Sequence, residues 1–423
     1  MRVYFTNLGC KLNQAEIEGF ARDFLAAGHE VVGSLSDADL HVVNSCTVTQ
    51  TAARSSRKAA GRGHRAAGSR TLRTVLTGCY ASDPTAAARL AGVDLVVPNA
   101  EKDRLLERVH AAFPDAVPAF SDSAIPVPYV PLPFGNTRAL LKVEDGCNMR
   151  CAFCIIPSTR GRQRSRPLRK VVDEVRGLVE AGYREVVVTG VQISAWQDGD
   201  ARLPELVRAL LEETEVPRLR LTSIAPWDLD ERLLELWSDR RLCRHLHLSL
   251  QSGCTETLRR MRRPYTAEGF LQILERLRAA IPGVAVTTDV IVGFPGETED
   301  ELRQSLATVA AAGFAKVHAF PFSPRAGTEA ACLPDPVHPG ERKERMARLL
   351  AVADRSERAF RRAHLGRRET VLWEKPKDGL GQGLTDNYLR VLCPEGAGLA
   401  GRFSEVELVG LEEEGMAGRV VLC

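Results

Sequence analysis

Six strand-like segments alternate with helix-like ones between residues 138 and 320, and this alternation limits the available folds more than any other feature. Strands are expected at Ala139–Glu144, Glu185–Thr189, Arg218–Thr222, His245–Leu250, Val284–Val292 and Lys316–Phe320. Helices are expected between them, at about Lys170–Ala181, Pro204–Glu213, Leu229–Trp237, Ala267–Ala280 and Glu299–Ala312. Six strand–helix repeats make an incomplete version of the eight-fold barrel, whose chemistry gathers in the loops that follow the strands.

The loop after the first of these strands reads Asp145-Gly-Cys-Asn-Met-Arg-Cys-Ala-Phe-Cys and places Cys147, Cys151 and Cys154 at C-x3-C-x2-C spacing. Three thiolates suit a 4Fe–4S cluster and leave its fourth iron open. An open iron can bind and reduce S-adenosylmethionine, whereas a structural cluster closes with a fourth cysteine. Zinc is the other reading, but it wants a fourth nitrogen or sulfur nearby, and the nearest histidines, His110 and His245, are far off in sequence.

Residues 1–114 read as a smaller α/β unit, an open parallel sheet. Its strands are expected at Val3–Leu8, Leu40–Asn44, Leu72–Thr77 and Val93–Val97, with helices at Ala15–Ala27, Val48–Ala60 and Lys102–Ala112. Three strands run into a cysteine: Asn7-Leu-Gly-Cys10, Val43-Asn-Ser-Cys46 and Leu76-Thr-Gly-Cys79. Ligand sites in parallel sheets collect at the carboxyl ends of strands, so Cys10, Cys46 and Cys79 are expected to meet there as a second three-thiolate cluster. The plain alternative for each is a small buried hydrophobe. No phosphate-binding loop and no G-x-G-x-x-G follows these strands, which argues against a nucleotide-hydrolysing or dinucleotide domain.

Residues 115–135, with Pro118, Pro126, Pro128, Pro131 and Pro133, read as an extended linker. The partial barrel occupies 136–365, its last helix running over Glu341–His364. Residues 366–423 change to short strands, Thr370–Trp373, Tyr388–Leu392, Glu405–Leu408 and Val420–Leu422, with glycine-rich turns between them. That pattern predicts a small β-barrel, a shape that often carries RNA.

With 44% hydrophobic residues, 26% charged and no long apolar run, the chain reads as a soluble protein that makes no membrane contact. It shows no signal-peptide pattern, so a cytoplasmic location is expected and its 11 cysteines are thiols or metal ligands. Cys243, Cys254, Cys332, Cys393 and Cys423 have no ligand spacing and read as ordinary packed or surface thiols. The net charge of +3 is uninformative, but its distribution is not. Arg54, Arg57, Lys58, Arg62, Arg65, Arg70 and Arg73 fall in a stretch without any acid between Asp39 and Asp83. Arg160, Arg162, Arg164, Arg166, Arg169 and Lys170 follow the second cysteine triad directly. Such runs can track a phosphate backbone, or simply coat a solvated helix.

Taken together, these segments resemble the radical-SAM methylthiotransferases over nearly the whole chain. Gly9-Cys10-Lys11-Leu12-Asn13-Gln14-Ala15-Glu16, Val43-Asn44-Ser45-Cys46-Thr47-Val48 and Thr77-Gly78-Cys79 resemble the family's three N-terminal cysteine motifs. Asp145-Gly-Cys147 through Ser165 resembles its cluster loop. His245 through Gly253 and Thr288 through Thr298 resemble later barrel motifs, and the last domain is similar to the TRAM module. Ser249, where proline is usual, and Ile193-Ser-Ala-Trp196 depart from the pattern. The resemblance implies two 4Fe–4S clusters and S-adenosylmethionine, with Gln192 and Gln251 near the methionyl part and Ile291 and Gly293 near the adenine. It also implies a tRNA anticodon stem-loop as substrate, a reductant such as flavodoxin or ferredoxin, and a monomer. The lysine of Gly-Cys-Lys-Leu-Asn-Gln matches the branch that modifies threonylcarbamoyladenosine. The isopentenyladenosine branch usually has Gly-Cys-Gln-Met-Asn there, and the ribosomal-protein branch Gly-Cys-Pro-Lys-Asn.

Overall fold

The computed structural model describes residues 1–66, 72–83, 92–116 and 137–421. The expected linker, Arg70 and Cys423 lie wholly or almost wholly outside these residues. The N-terminal unit is a five-stranded, all-parallel sheet in the order β2-β1-β3-β4-β5. Its strands are β1 (Arg2–Asn7), β2 (Glu30–Val31), β3 (Leu40–Ser45), β4 (Arg73–Gly78) and β5 (Leu95–Val96). β3 is buried on both faces, which its Leu-His-Val-Val-Asn-Ser run suits only in the middle of a sheet.

The first helix, α1 (Lys11–Ala26), starts directly after Cys10 and four residues earlier than its apolar periodicity predicts. One face of α1 packs Ile17, Phe20, Ala21 and Phe24 against Val3, Phe5, Leu40 and Val75 of the sheet. The opposite face carries Ala15 onto Leu140 and Val187 of the central unit. Each large aliphatic or aromatic side chain so buried contributes roughly 1.5–3 kcal/mol. α1 is thereby the joint between the first two units.

In the central unit the strands Arg138–Lys142, Glu185–Thr189 and Leu219–Leu221 pair in parallel, as do His245–His247, Ala285–Val292 and Lys316–Pro321. Bridges at Leu219–Leu242 and Ile224–Leu248 join the two groups, so the six strands form one open arc in chain order. This is the partial barrel the alternation predicts. The expected helix Leu229–Trp237 is instead a short turn of helix, Glu231–Leu234, followed by a tighter turn, Glu235–Ser238.

The C-terminal strands Arg368–Trp373, Gly381–Thr385, Arg390–Cys393, Phe403–Glu412 and Gly415–Val420 close into a small barrel. Gly381–Thr385 is absent from the sequence-based strands because its glycines read as turn residues. Both Gly381 and Gly383 lie against neighbouring backbone, at Cys393 O and Leu372 O, where a Cβ would stand 2.6 Å away. This barrel sits beneath the starts of the central strands. Arg218 and Arg220 pair there with the fully buried Glu185, at 2.6 and 2.7 Å. The same two arginines donate onward to the carbonyls of Leu384, Thr385 and Asp386. Among the described residues no helix is long and apolar enough to cross a membrane.

Candidate active site

Cys10, Cys46 and Cys79 leave the carboxyl ends of β1, β3 and β4, where a parallel sheet presents its ligands. Glycines let their loops close on one another. At Gly9 (φ +108°) a Cβ would meet Cys46 Cβ and Sγ at 2.8 and 2.9 Å, and at Gly78 (φ +90°) it would meet Ser45 O at 2.5 Å. Any other residue would therefore push these loops apart, besides being strained at that backbone angle. Asn13 braces the same edge, accepting from Cys10 Sγ at 3.4 Å and donating to Ser45 O at 3.0 Å.

The second triad lies on the loop after the first central strand. Met149 N donates to Cys147 Sγ at 3.4 Å, and Arg263 Nη1 donates to Cys151 Sγ at 3.3 Å. Arg263 is held in place by stacking over Trp227 and Tyr265. Burial pushes the Cys154 thiol up to about 12 and the Cys79 thiol up to about 11, and raises those of Cys46 and Cys147. Such thiols stay protonated until a metal takes the proton's place, so loading either triad would release protons.

The loops that carry the two triads are tied to one another. Thr47, next to Cys46, accepts from Arg325 at 2.5 Å, and Gln50 N donates to Ser323 Oγ at 3.2 Å. The loop bearing Ser323 and Arg325 continues to Ala330, whose N donates to Ala152 O between Cys151 and Cys154. The closest link is Arg160. Its Nε donates to Cys79 Sγ at 3.1 Å and its Nη1 to Asp145 Oδ1 at 2.8 Å and Glu16 Oε1 at 2.9 Å. Lys102 bridges the same two carboxylates. Burial works against the Glu16 charge, but Arg160, Lys142 and Lys102 outweigh it and hold the carboxyl at about 2.

Arg160 is thus a correction to the sequence reading. Its side chain is 1% exposed, so it has no face to offer a phosphate. Arg166 and Arg169 of the same run are paired with Glu174 and Glu213. Arg162, Arg164 and Lys170 are exposed, as are Arg54, Arg57, Lys58 and Arg62 on the second helix, α2 (Gln50–Ala66).

Of the expected cofactor contacts, Gln192 stands beside the second triad, its Oε1 4.0 Å from Cys147 Sγ and its Nε2 bonded to Asp228. Gln251 has a left-handed backbone (φ 64°) and accepts from Ile291 N at 2.8 Å, which places those two together at adjoining strand ends. Gly293 lies two residues on, its N donating to Glu297. The atypical Ser249 donates to Asp289 at 3.3 Å, an interaction a proline could not make. Sequence reasoning missed Arg263, Lys102 and Glu144. Burial pushes the Glu144 carboxyl up to about 8, and its Oε1 is buried without a partner. Only the run Arg259-Arg-Met-Arg-Arg263 hinted at any of them.

Among the described residues no three Cys, His, Asp or Glu side chains stand close enough to hold one metal ion. Tetrahedral zinc needs all its donors on one centre, whereas a 4Fe–4S cluster gives each thiolate its own iron. An all-sulfur donor set in which Cys79, Cys147 and Cys151 receive N–H hydrogen bonds fits the latter.

Comparison with known proteins gives the family. The Radical SAM superfamily profile matches residues 141–309, and the profile described as uncharacterized protein family UPF0004 matches residues 2–97. The chain is 36% identical, over 98% of its length and 97% of the relative's, to the threonylcarbamoyladenosine tRNA methylthiotransferase MtaB of Chlamydia pneumoniae. The chain belongs to the radical-SAM methylthiotransferase family. The MtaB of Bacillus subtilis is 35% identical over 96% of this chain and 93% of that one. The tRNA-2-methylthio-N(6)-dimethylallyladenosine synthase of Novosphingobium aromaticivorans is 34% identical over 98% and 96%. Among solved structures, the radical S-adenosylmethionine methyltransferase TsrM of Kitasatospora setae superposes with a TM-score of 0.55. At 17% identity, covering 78% of this chain and 77% of that one, it shows a shared fold alone. The enzyme is accordingly a radical-SAM methylthiotransferase, and membership in the superfamily implies a 4Fe–4S cluster and S-adenosylmethionine.

Proposed function

We propose that the enzyme adds a methylthio group to C2 of N6-threonylcarbamoyladenosine beside the anticodon of tRNA, using a 4Fe–4S cluster at each cysteine triad. The observation that carries this reading is the Arg160 junction, which sets Cys79 of one triad against the loop of the other. The Cys147, Cys151 and Cys154 cluster would supply the electron that cleaves S-adenosylmethionine to methionine and a 5′-deoxyadenosyl radical, the Cys10, Cys46 and Cys79 cluster would supply sulfur, and a second S-adenosylmethionine would supply the methyl group.

Around those groups the chain's own residues position and shield. Gln192 and Gln251 would hold the methionyl part of S-adenosylmethionine, and Ile291 and Gly293 would line its adenine. Arg263 holds Cys151 from one side while Gln192 approaches Cys147 from another. The target base must leave its stack to reach this mouth, and an anticodon loop already presents splayed bases. Arg162, Arg164 and Lys170, the cations of α2 and the terminal barrel would hold its phosphates. Flavodoxin or ferredoxin would serve as reductant, and the enzyme would act as a monomer in the cytoplasm.

Threonylcarbamoyladenosine is favoured by the Gly9-Cys10-Lys11-Leu12-Asn13-Gln14 motif and by the names of two relatives. The similarity to the dimethylallyladenosine enzyme makes isopentenyladenosine the second reading. Mass spectrometry of tRNA nucleosides from cells with and without this gene separates them. Loss of 2-methylthio-threonylcarbamoyladenosine alone supports the first reading, and loss of the isopentenyl product replaces it with the second. Unchanged methylthio nucleosides would remove tRNA as substrate.

A further inference from the structure

Every nitrogen of the Arg160 guanidinium has a partner. Nη1 serves Glu16 and Asp145, Nη2 serves Asn13 at 2.7 Å and Glu16 at 3.4 Å, and Nε serves Cys79 alone. Two buried cations, Arg160 and Lys102, already balance two buried carboxylates, Glu16 and Asp145. Lys142 reaches the same carboxylates from the rim, where it also faces the exposed Asp103. Charge pairing therefore does not explain why the remaining Nε–H is aimed at a sulfur.

Its neighbours suggest a reason, because each bonds to a cysteine or to a residue one or two places before one. Asp145 Oδ1 accepts from Gly146 N at 2.8 Å, immediately before Cys147. Asn13 accepts from Cys10 Sγ, and Glu16 accepts from Asn44 Nδ2 at 3.3 Å, two residues before Cys46. Arg160 itself closes the short helix Ile156–Arg160 that follows Cys154. One enclosed cation thus links Cys79 to the loop that carries the other triad. A hydrogen bond and a positive charge at a ligating sulfur favour the more negative, reduced form of an iron–sulfur group, which raises its reduction potential. Arginine suits this role because it keeps its charge when buried and presents a rigid fork of donors.

We propose that Arg160 is a positioning residue that raises the reduction potential of an iron–sulfur group at Cys10, Cys46 and Cys79 and fixes its place against the Cys147 loop. The inference rests on the reading that this triad holds such a group.

The test uses the full chain with Cys147, Cys151 and Cys154 all changed to alanine, so that only the N-terminal triad can be loaded. Protein labelled with 15N-arginine is reduced, and its electron spin echo is examined for nitrogen coupling. A redox titration follows. The parent is expected to show 15N coupling from arginine. Arg160→Lys keeps a charge for Glu16 and Asp145 but lacks Nε–H. At equal iron content it is expected to lose the coupling, change the EPR g-values and move the potential to a more negative value, and Arg160→Gln to move it further. No arginine coupling in a loaded parent overturns the proposal, as does an unchanged potential and spectrum in loaded Arg160→Lys. If neither variant loads iron, the coupling in the parent decides. A parent that takes up no iron–sulfur group overturns the two-cluster reading itself, and this inference with it.

Discussion

The mouth and the foot of the central barrel are both sealed by buried ion-pair networks, and the two differ in where their last donors point. At the foot, Glu185 gathers Arg218 and Arg220, whose remaining N–H groups go to backbone carbonyls of the terminal barrel. Arg244 and Arg138 add pairs to Asp386, Glu369 and Glu374. The donors of Arg218 and Arg220 there end on a carboxylate and on backbone carbonyls. At the mouth, Glu16 and Asp145 gather Arg160 and Lys102, and one donor is left over for Cys79. The physics of burial is the same in both places, so charge and burial alone do not mark a functional site. What sets the mouth apart is the acceptor at the end of its network, a cysteine sulfur.

The sharpest way to break this comparison is to remove one sulfur from each triad. If each triad holds a 4Fe–4S cluster, the parent reconstituted without oxygen should bind about eight irons and Cys79→Ala and Cys147→Ala about four each, read by iron analysis. A full complement in Cys79→Ala would make the N-terminal sulfurs as structural as the foot.

Glu185→Ala should cost about 3–5 kcal/mol of stability, because it strands two buried arginines. Urea denaturation measures this, while S-adenosylmethionine cleavage per folded molecule should hold. Deleting the terminal barrel is a poor probe of RNA binding for the same reason, since it would bare Glu185, Arg218 and Arg220 together.

The two networks should respond alike to acid. Burial opposes the charge on Glu185 and on Glu16, yet their arginine and lysine partners hold each at about 2, against an ordinary 4.5. The unfolded chain therefore takes up these protons first. Their stabilisation is complete above 4.5 and is lost as pH falls from 4.5 towards 2. Glu185→Gln should flatten part of that fall in urea melts taken across this range, and an unchanged slope would remove Glu185 from the account.

The smallest effect is expected at the exposed rim. Arg162→Gln with Arg164→Gln should weaken binding to an anticodon stem-loop several-fold and lower the salt dependence of log K by about 1.4. Fluorescence anisotropy across a salt series gives both numbers, and an unchanged slope would place the phosphates elsewhere, with α2 next to examine.

Much of this was legible in the chain, and the unreadable part has a physical cause. The six cysteines stand out through local spacing and through the turn that ends each strand, both short-range signals. The strand–helix alternation likewise exposes the partial barrel. Arg160 was readable as a basic residue beside the cluster loop, but its burial was not, because Glu16 and Cys79 lie 144 and 81 residues away. Gly381–Thr385 was unreadable for a different reason. Its glycines serve close backbone packing within a barrel, where sequence alone suggests a turn.

The most direct test of the division of labour at the mouth sets Cys10→Ala beside Cys151→Ala under reducing, oxygen-free conditions, with 5′-deoxyadenosine and methylthio nucleoside measured in the same reactions. Cys10→Ala should still cleave S-adenosylmethionine but transfer no sulfur, and Cys151→Ala should do neither. Equal loss of cleavage in both variants would contradict separate roles for the two triads.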